Sequence, residues 1–225
     1  LVLMVVSCLV TLELTGITVS FNSAPLEWWL SLPIIVIYPL LFGWVSYQTA
    51  TKLAEHKRRL QVMSTRDGMT GVYNRRHWET MLRNEFDNCR RHNRDATLLI
   101  IDIDHFKSIN DTWGHDVGDE AIVALTRQLQ ITLRGSDVIG RFGGDEFAVI
   151  MSGTPAESAI TAMLRVHEGL NTLRLPNTPQ VTLRISVGVA PLNPQMSHYR
   201  EWLKSADLAL YKAKKAGRNR TEVAA

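Results

Sequence analysis

The chain has 225 residues and a formal net charge of +3, which is enough length for one soluble domain plus a further segment. Residues 1–50 contain no Lys or Arg, so all 25 basic residues lie in the rest of the chain, together with every acidic residue except Glu13 and Glu27. That modest basic excess, interspersed with acids, suits a polyphosphate ligand and argues against a nucleic-acid surface. Cys8 and Cys89 have no paired spacing that would indicate a disulfide framework or a zinc site.

Two apolar stretches at the N-terminal end predict membrane helices. Residues 28–45 contain no charged residue, and at about 1.5 Å per residue they match the thickness of a hydrocarbon layer. Residues 1–21 form a second apolar stretch, interrupted by Glu13. We predict transmembrane helices over 1–21 and 27–46, which form the truncated end of a sensor region. A buried core helix is the alternative for the second stretch.

A basic cluster sets the predicted orientation of these helices. Lys52, Lys57, Arg58 and Arg59 follow the second apolar stretch, so the positive-inside rule places the remaining chain in the bacterial cytoplasm, tethered to the inner membrane by a multi-pass region. Residues 48–64 are predicted to be helical, with apolar spacing that fits only two heptads. Both a stalk that pairs two chains and a solvated linker helix therefore remain open.

From residue 65 onward, helical and strand patterns alternate. The predicted helices are residues 74–92, 118–134, 155–173 and 199–216, and the predicted strands are 96–103, 138–142, 147–151 and 180–189. The two middle strands flank a Gly-Gly pair, which predicts a hairpin. This order predicts an α+β domain over residues 65–225, with helices covering a central sheet.

Carboxylates at two strand ends are the first candidates for chemistry. Asp102 and Asp104 end an apolar strand and, being two positions apart, point to the same side. The turn Gly143-Gly144 leads directly into Asp145 and Glu146. If the hairpin lies beside the first strand, three or four carboxylates converge, and such hard oxygen ligands suit Mg²⁺ ions that clamp a phosphoryl transfer. Plain capping and a turn with solvated acids are the alternatives.

Five motifs extend this pattern along the chain. They are Asp67–Arg76, Asp102–Asp111, Gly114–Asp119, Arg141–Phe147 (RFGGDEF) and Asp207–Asn219. In order and spacing, over residues 64–224, they resemble the GGDEF-domain family of diguanylate cyclases, with Met69 where Leu is usual. The resemblance implies a mostly antiparallel sheet similar to that of nucleotidyl cyclases. It also implies condensation of two GTP molecules into cyclic di-GMP with release of two pyrophosphates.

The resemblance also implies a role for individual residues. Asp102, Asp145 and the carbonyl of Ile103 would bind Mg²⁺ or Mn²⁺, two ions per half-site, and Asp145 or Glu146 would help to deprotonate the 3′-hydroxyl. The remaining GTP contacts would come from Asn110 and Asp119 at the guanine edge, from Phe106, Lys107, Lys214 and Arg218 at the phosphates, and from His105.

Two regulatory features follow from the same resemblance. Each domain binds one GTP, so two half-sites must face each other across a two-fold axis, which implies a homodimer. Arg134 and Asp137 form an RxxD sequence that matches the family's product-inhibition site, to which Arg165 would contribute; a surface ion pair is the alternative. For the whole domain, the alternative is a catalytically silent module that binds GTP or cyclic di-GMP and signals by interaction.

Overall fold

The computed structural model describes residues 37–54, 65–176, 178 and 180–224, and the chain divides into two compact units at residue 64. In the first unit, residues 37–54 are helical and their side chains are mostly exposed. Among the described residues, no helix is both long and apolar enough to cross a membrane. The predicted helix over 1–21, the first half of 27–46 and most of the predicted stalk lie outside the described residues.

The second unit is the predicted α+β domain. In the described chain its helices are α1 (Arg75–His92), α2 (Phe106–Trp113), α3 (His115–Thr132), α4 (Ala156–Thr172) and α5 (Tyr199–Lys215). Its strands are β1 (Tyr73–Asn74), β2 (Ala96–Ile103), β3 (Val138–Arg141), β4 (Glu146–Ser152), β5 (Ile185–Pro191) and β6 (Thr221–Val223). They form one six-stranded sheet in the order β1-β3-β4-β2-β5-β6.

The strand directions agree with the expected mostly antiparallel sheet and add two parallel edges. The central pairs β3–β4, β4–β2 and β2–β5 are antiparallel, whereas the short edge pairs β1–β3 and β5–β6 are parallel, so the sheet is mixed. The edge strands β1 and β6 are only two and three residues long. Such short strands carry no periodicity of their own from which to predict them.

Strand β2 organises the two layers of core. All eight of its residues are buried, as expected for a central strand covered on both faces. Leu99 and Ile101 point into the layer formed by α3 and α4, whereas Leu98 and Ile100 point into the layer formed by α1 and α5. Because side chains alternate along a strand, Asp102 must emerge on the α1/α5 side.

The predicted hairpin is confirmed, and a tryptophan fixes its base. Strands β3 and β4 pair antiparallel with Gly140 opposite Ala148. The buried ring of Trp78 covers Gly140 so closely that an added Cβ would lie 2.5 Å from it, and the indole N–H donates to the carbonyl of Val138 at 3.1 Å. Helix α1 therefore holds the hairpin from one side.

A second glycine allows α5 to lie against the sheet. A Cβ at Gly188 would come within 2.2 Å of the carbonyl oxygen of Ala206 and 2.3 Å of the amide nitrogen of Leu210, both backbone atoms of α5. We expect Gly188→Ala to lower the free energy of unfolding by about 3 kcal/mol, because the helix must move away from β5. Urea denaturation measures this value.

The matched control is Gly68→Ala, where an added Cβ meets no atom within 4 Å. Its free energy of unfolding should stay within about 1 kcal/mol of the wild-type value. An equal loss of stability in both variants would show that close packing of α5 on β5 is not the cause.

Candidate active site

The candidate site forms where β2 ends beside the turn between β3 and β4. The register of β2 and β4 places Asp102 directly opposite Glu146, so both side chains leave the sheet on the same face. The amide of Ile103 donates to the carbonyl of Asp145 at 3.3 Å, which holds the end of the turn against β2. Asp145 and Glu146 are thereby brought to the same corner of the sheet as Asp102, which lies more than forty positions earlier in the sequence.

The electrostatics of this corner favour a bound cation. Burial raises the pKa of Asp102, which is only 8% exposed, and the nearby charges of Asp145 and Glu146 raise it further. Lys214 opposes these effects, because its ammonium nitrogen lies 2.8 Å from Oδ2 of Asp102. A buried carboxylate beside two further acids needs a positive partner, and in this structure α5 supplies one.

The donor set at the corner fits a hard divalent cation, since it consists of carboxylate oxygens and the nearby backbone carbonyl of Ile103. Within the described residues, no three His, Cys, Asp or Glu side chains are gathered tightly enough to hold a metal ion. The ammonium group of Lys214 instead neutralises Asp102 directly.

Asp104 does not join the acid cluster, although its spacing places it on the same side as Asp102. Its carboxylate accepts from the hydroxyl of Ser186 at 2.6 Å and from the backbone amide of Asn219 at 2.8 Å. Both oxygens are therefore engaged by β5 and by the turn that follows α5.

The turn between β3 and β4 is braced by residues for which the sequence motif suggested no individual role. Arg141 donates twice to the carbonyl of Gly144, at 2.8 and 3.2 Å, and forms an ion pair with Asp67 at 3.2 Å. The ring of Phe142 packs edge-on against Trp78, and the Arg75 guanidinium covers it at 4.5 Å. The only signal for these roles in the sequence was that the residues belong to the quoted motifs.

The candidate guanine-binding residues lie where α2 meets α3. Asn110 on α2 and Asp119 on α3 are joined through Gly114, whose backbone has φ +87°. The side-chain oxygen of Asn110 is buried and has no hydrogen-bond partner in the described chain, and Asp119 is exposed. A Cβ at Gly118 would lie 1.9 Å from that oxygen, so glycine makes room for the Asn110 amide. Unpaired buried polar atoms are rare, and a ligand is one explanation for them.

The candidate phosphate-binding residues come from two elements. Phe106 and Lys107 lie in the first turn of α2, shortly after the end of β2. His105, in the link between β2 and α2, has left-handed backbone geometry (φ 57°). Lys214 lies in the last turn of α5, and Arg218 follows that helix with φ 62°. Of these residues, the structure brings Lys214 into direct contact with the acid cluster.

The RxxD residues line a separate cavity at the other end of the hairpin. Arg134, Asp137 and Arg165 share a cavity of about 340 Å³ with residues of α4. The backbone amide of Arg134 donates to Oδ2 of Asp137 at 2.9 Å, while Oδ1 is buried and has no hydrogen-bond partner among the described residues. The structure therefore brings together three residues that sequence alone could only associate by resemblance.

Comparison with known proteins identifies the family of the chain. The family model described as "Diguanylate cyclase, GGDEF domain" matches residues 64–220. The chain is 35% identical over 159 residues to Diguanylate cyclase DosC of Escherichia coli, an alignment that covers 70% of this chain and 34% of DosC. The chain thus spans about a third of the length of that curated relative.

Two solved structures share the fold. The GGDEF domain of DgcB from Caulobacter crescentus in complex with c-di-GMP superposes with a TM-score of 0.67 at 30% identity, covering 71% of this chain and 93% of that one. Diguanylate cyclase SiaD from Pseudomonas aeruginosa, in complex with its activator SiaC, gives a TM-score of 0.68 at 32% identity, covering 98% and 87%. The chain belongs to the GGDEF-domain family of diguanylate cyclases.

Asp137 generates a prediction about pH. Burial raises its pKa, so the folded protein holds this proton at pH values where the unfolded chain has lost it. The stabilising effect of protonation is fully present below the unfolded pKa and is lost as the pH rises through the folded pKa. Asp137→Asn, which mimics the protonated side chain, should therefore gain stability relative to wild type as the pH rises from about 3 to about 7.

Urea denaturation at several pH values measures this difference in the free energy of unfolding. Asp87→Asn, at an exposed position of α1, serves as the matched control. A difference between Asp137→Asn and wild type that stays constant across the pH range would contradict the prediction.

Proposed function

We propose that this protein is a diguanylate cyclase, which condenses two GTP molecules into cyclic di-GMP and releases two pyrophosphates. The observation that carries the proposal is the acid corner, where Asp102 lies opposite Glu146 and Asp145 is tied to the same strand end. A catalytically silent domain needs no such costly cluster. Membership of the family and the name of the relative DosC support the same conclusion.

In this proposal each residue of the corner has a defined task. Asp102, Asp145 and the carbonyl of Ile103 would hold Mg²⁺ or Mn²⁺, two ions per half-site. Bound cations neutralise phosphate charge and orient the reacting oxygens. Asp145 or Glu146 takes the proton from the attacking 3′-hydroxyl. The site therefore activates the nucleophile and balances the charge of the triphosphate from one corner of the sheet.

Substrate recognition is assigned to the flanking helices. Asn110 and Asp119 read the guanine edge, where a carboxylate accepts from the N–H groups of guanine and has no matching donors on adenine. Lys107, the backbone of Phe106 and neighbouring His105 contact the phosphates from the start of α2, which is a favourable place for anions. Lys214 and Arg218 approach from the end of α5. If GTP and a cation bind together, Lys214 would be able to exchange its partner Asp102 for phosphate, because the cation would neutralise that acid.

The reaction requires two copies of the domain. Each 3′-hydroxyl must attack the α-phosphorus of the other nucleotide, which a single half-site cannot arrange. We therefore propose a homodimer in which the half-sites face each other across a two-fold axis. We further propose that apolar residues 1–47 anchor the protein in the bacterial inner membrane and that the segment after residue 48 helps to pair two chains in the cytoplasm.

The RxxD cavity is proposed to bind the product and inhibit the enzyme. Arg134 and Arg165 supply charge-assisted donors for phosphate, and Oδ1 of Asp137 supplies a buried acceptor for a guanine N–H group. The DgcB domain was solved with c-di-GMP, which shows that a relative of this fold binds that molecule.

Product analysis tests the proposed activity. The purified chain incubated with GTP and Mg²⁺ should form cyclic di-GMP, as measured by chromatography and mass spectrometry. Asp145→Ala should lower the rate by about 100-fold or more, because it removes a ligand of the activating cation. Asp87→Ala, at an exposed site on α1, should retain the wild-type rate. GTP binding without any product would instead identify a silent signalling module.

A second experiment tests the proposed inhibition. In rate measurements with added cyclic di-GMP, Arg134→Ala should weaken inhibition by about tenfold or more, because a charge-assisted bond to phosphate is lost. Arg127→Ala removes an exposed arginine of α3 that does not line the cavity and should leave inhibition unchanged. If the Arg134 variant were inhibited as strongly as the control, the cavity would have no regulatory role.

A further inference from the structure

We propose that Asp104 is a positioning residue for the phosphate-binding end of α5. Its carboxylate fixes the backbone turn after that helix and thereby sets where Arg218 is placed. The role of Arg218 rests on the proposed function, whereas the tether between Asp104 and the turn does not.

The first observation is the environment of the carboxylate. Asp104 is only 6% exposed, and its two oxygens accept from two different elements, the hydroxyl of Ser186 at 2.6 Å and the amide of Asn219 at 2.8 Å. Removing a carboxylate from water is costly unless hydrogen bonds replace the lost hydration. These two bonds satisfy one donor on β5 and one backbone donor in the turn.

The second observation is the geometry of that turn. Arg218 and Asn219 are consecutive residues with left-handed backbone conformations, φ 62° and φ 45°. Non-glycine residues adopt this conformation rarely, and the surrounding structure must hold them in it. The amide of Arg218 donates to the carbonyl of Ala213 at 3.0 Å, and the next amide donates to Asp104. The Asp104 bond therefore fixes the second strained residue and the direction in which the chain leaves the helix.

The third observation is that two acids at and just beyond the end of β2 hold both ends of a six-residue segment. Asp102 contacts Lys214 at 2.8 Å, and Asp104 contacts Asn219 at 2.8 Å. Arg218 lies between these two anchoring points. The chain then continues into β6. The amide of Val187 on β5 donates to the carbonyl of Arg220, just before β6, at 2.9 Å. The segment is consequently held at both ends, and this fixes the backbone positions from which the side chains of Lys214 and Arg218 extend.

A positioning role predicts a selective defect. Guanine recognition is assigned to Asn110 and Asp119, at the other end of the nucleotide, and does not depend on the turn after α5. Loss of Asp104 should therefore weaken binding of GTP, whose terminal phosphates reach Arg218, and should hardly change binding of GMP. A residue needed only for general stability would weaken both nucleotides in the same proportion.

The tether itself is measured by amide hydrogen exchange on the full chain. Asp104→Ala should accelerate exchange of the Asn219 amide by about tenfold or more, because its acceptor is lost. Asp104→Asn should preserve most of the protection, since the amide oxygen can still accept from Asn219 and the amide N–H₂ can donate to Ser186. Asp111→Ala, an exposed acid on α2, is the matched control. Unchanged protection at Asn219 in Asp104→Ala would overturn the proposal.

The functional consequence is measured by calorimetric binding of GTP and GMP. Asp104→Ala should weaken GTP binding by about tenfold and GMP binding by less than about twofold. In a double-mutant cycle, Asp104→Ala should add little to Arg218→Ala but should be additive with Asn110→Ala. Additivity with Arg218→Ala, or an equal loss for both nucleotides, would overturn the positioning role.

Two further outcomes also test the proposal: an Asp104→Ala variant that does not fold, and a wild-type chain that binds no GTP. If Asp104→Ala does not fold, Ser186→Ala replaces it, because it removes one of the two bonds to the carboxylate; a GTP-selective loss of about threefold is then expected, and no selective loss would overturn the proposal. If the wild-type chain binds no GTP, the proposed function fails and the role of Arg218 fails with it. The exchange rate of the Asn219 amide would still decide whether Asp104 holds the turn.

Discussion

The register between β2 and β4 is the constraint on which the site depends. Leu98 and Ile100 fill the layer under α1 and α5, so Asp102 two residues later must face that side, opposite Glu146. A slip of one residue in this register would turn the Asp102 carboxylate towards the apolar layer under α3 and α4. Because the whole strand is buried, the cost of placing the charge there prevents the slip. The packing that stabilises the sheet therefore also places the acids.

This placement puts a buried carboxylate next to two further acids at the corner, which is electrostatically unfavourable. Burial and the neighbouring acids raise the pKa of Asp102, and Lys214 supplies the positive charge that offsets them. Because Lys214 already neutralises Asp102, the corner remains folded without a ligand. In the proposed function, the same lysine becomes available to phosphate once a cation neutralises the acids. In this proposal, Lys214 of α5 thus neutralises Asp102 in the ligand-free protein and phosphate in the substrate-bound protein.

The sequence predicted the elements that carry their own periodicity, but not those defined only by a partner. The predicted strand over 180–189 begins at Ile185, because its partner β2 ends at Ile103; past that point one backbone bond, from the amide of Asp104 to the carbonyl of Arg184 at 2.9 Å, continues the pairing. Val181 and Leu183 alternate because they are buried in the core, not because they form a ladder. Likewise, the partners of Asp104, Ser186 and Asn219, come from distant segments that only the folded chain brings together.

The cavity and the acid corner occupy opposite ends of the same hairpin. Asp137 and Met151 line the cavity next to the pair Val138 and Ile150, whereas the acids lie at the turn beyond Arg141. In the proposed function, a ligand in the cavity therefore cannot displace GTP from the acids by occupying their space. Its effect must pass along the β3–β4 ladder, which Trp78 holds at its base, or must restrict how two domains approach each other. The proposed dimer of half-sites would be sensitive to the second effect, because its chemistry would require the two corners to meet.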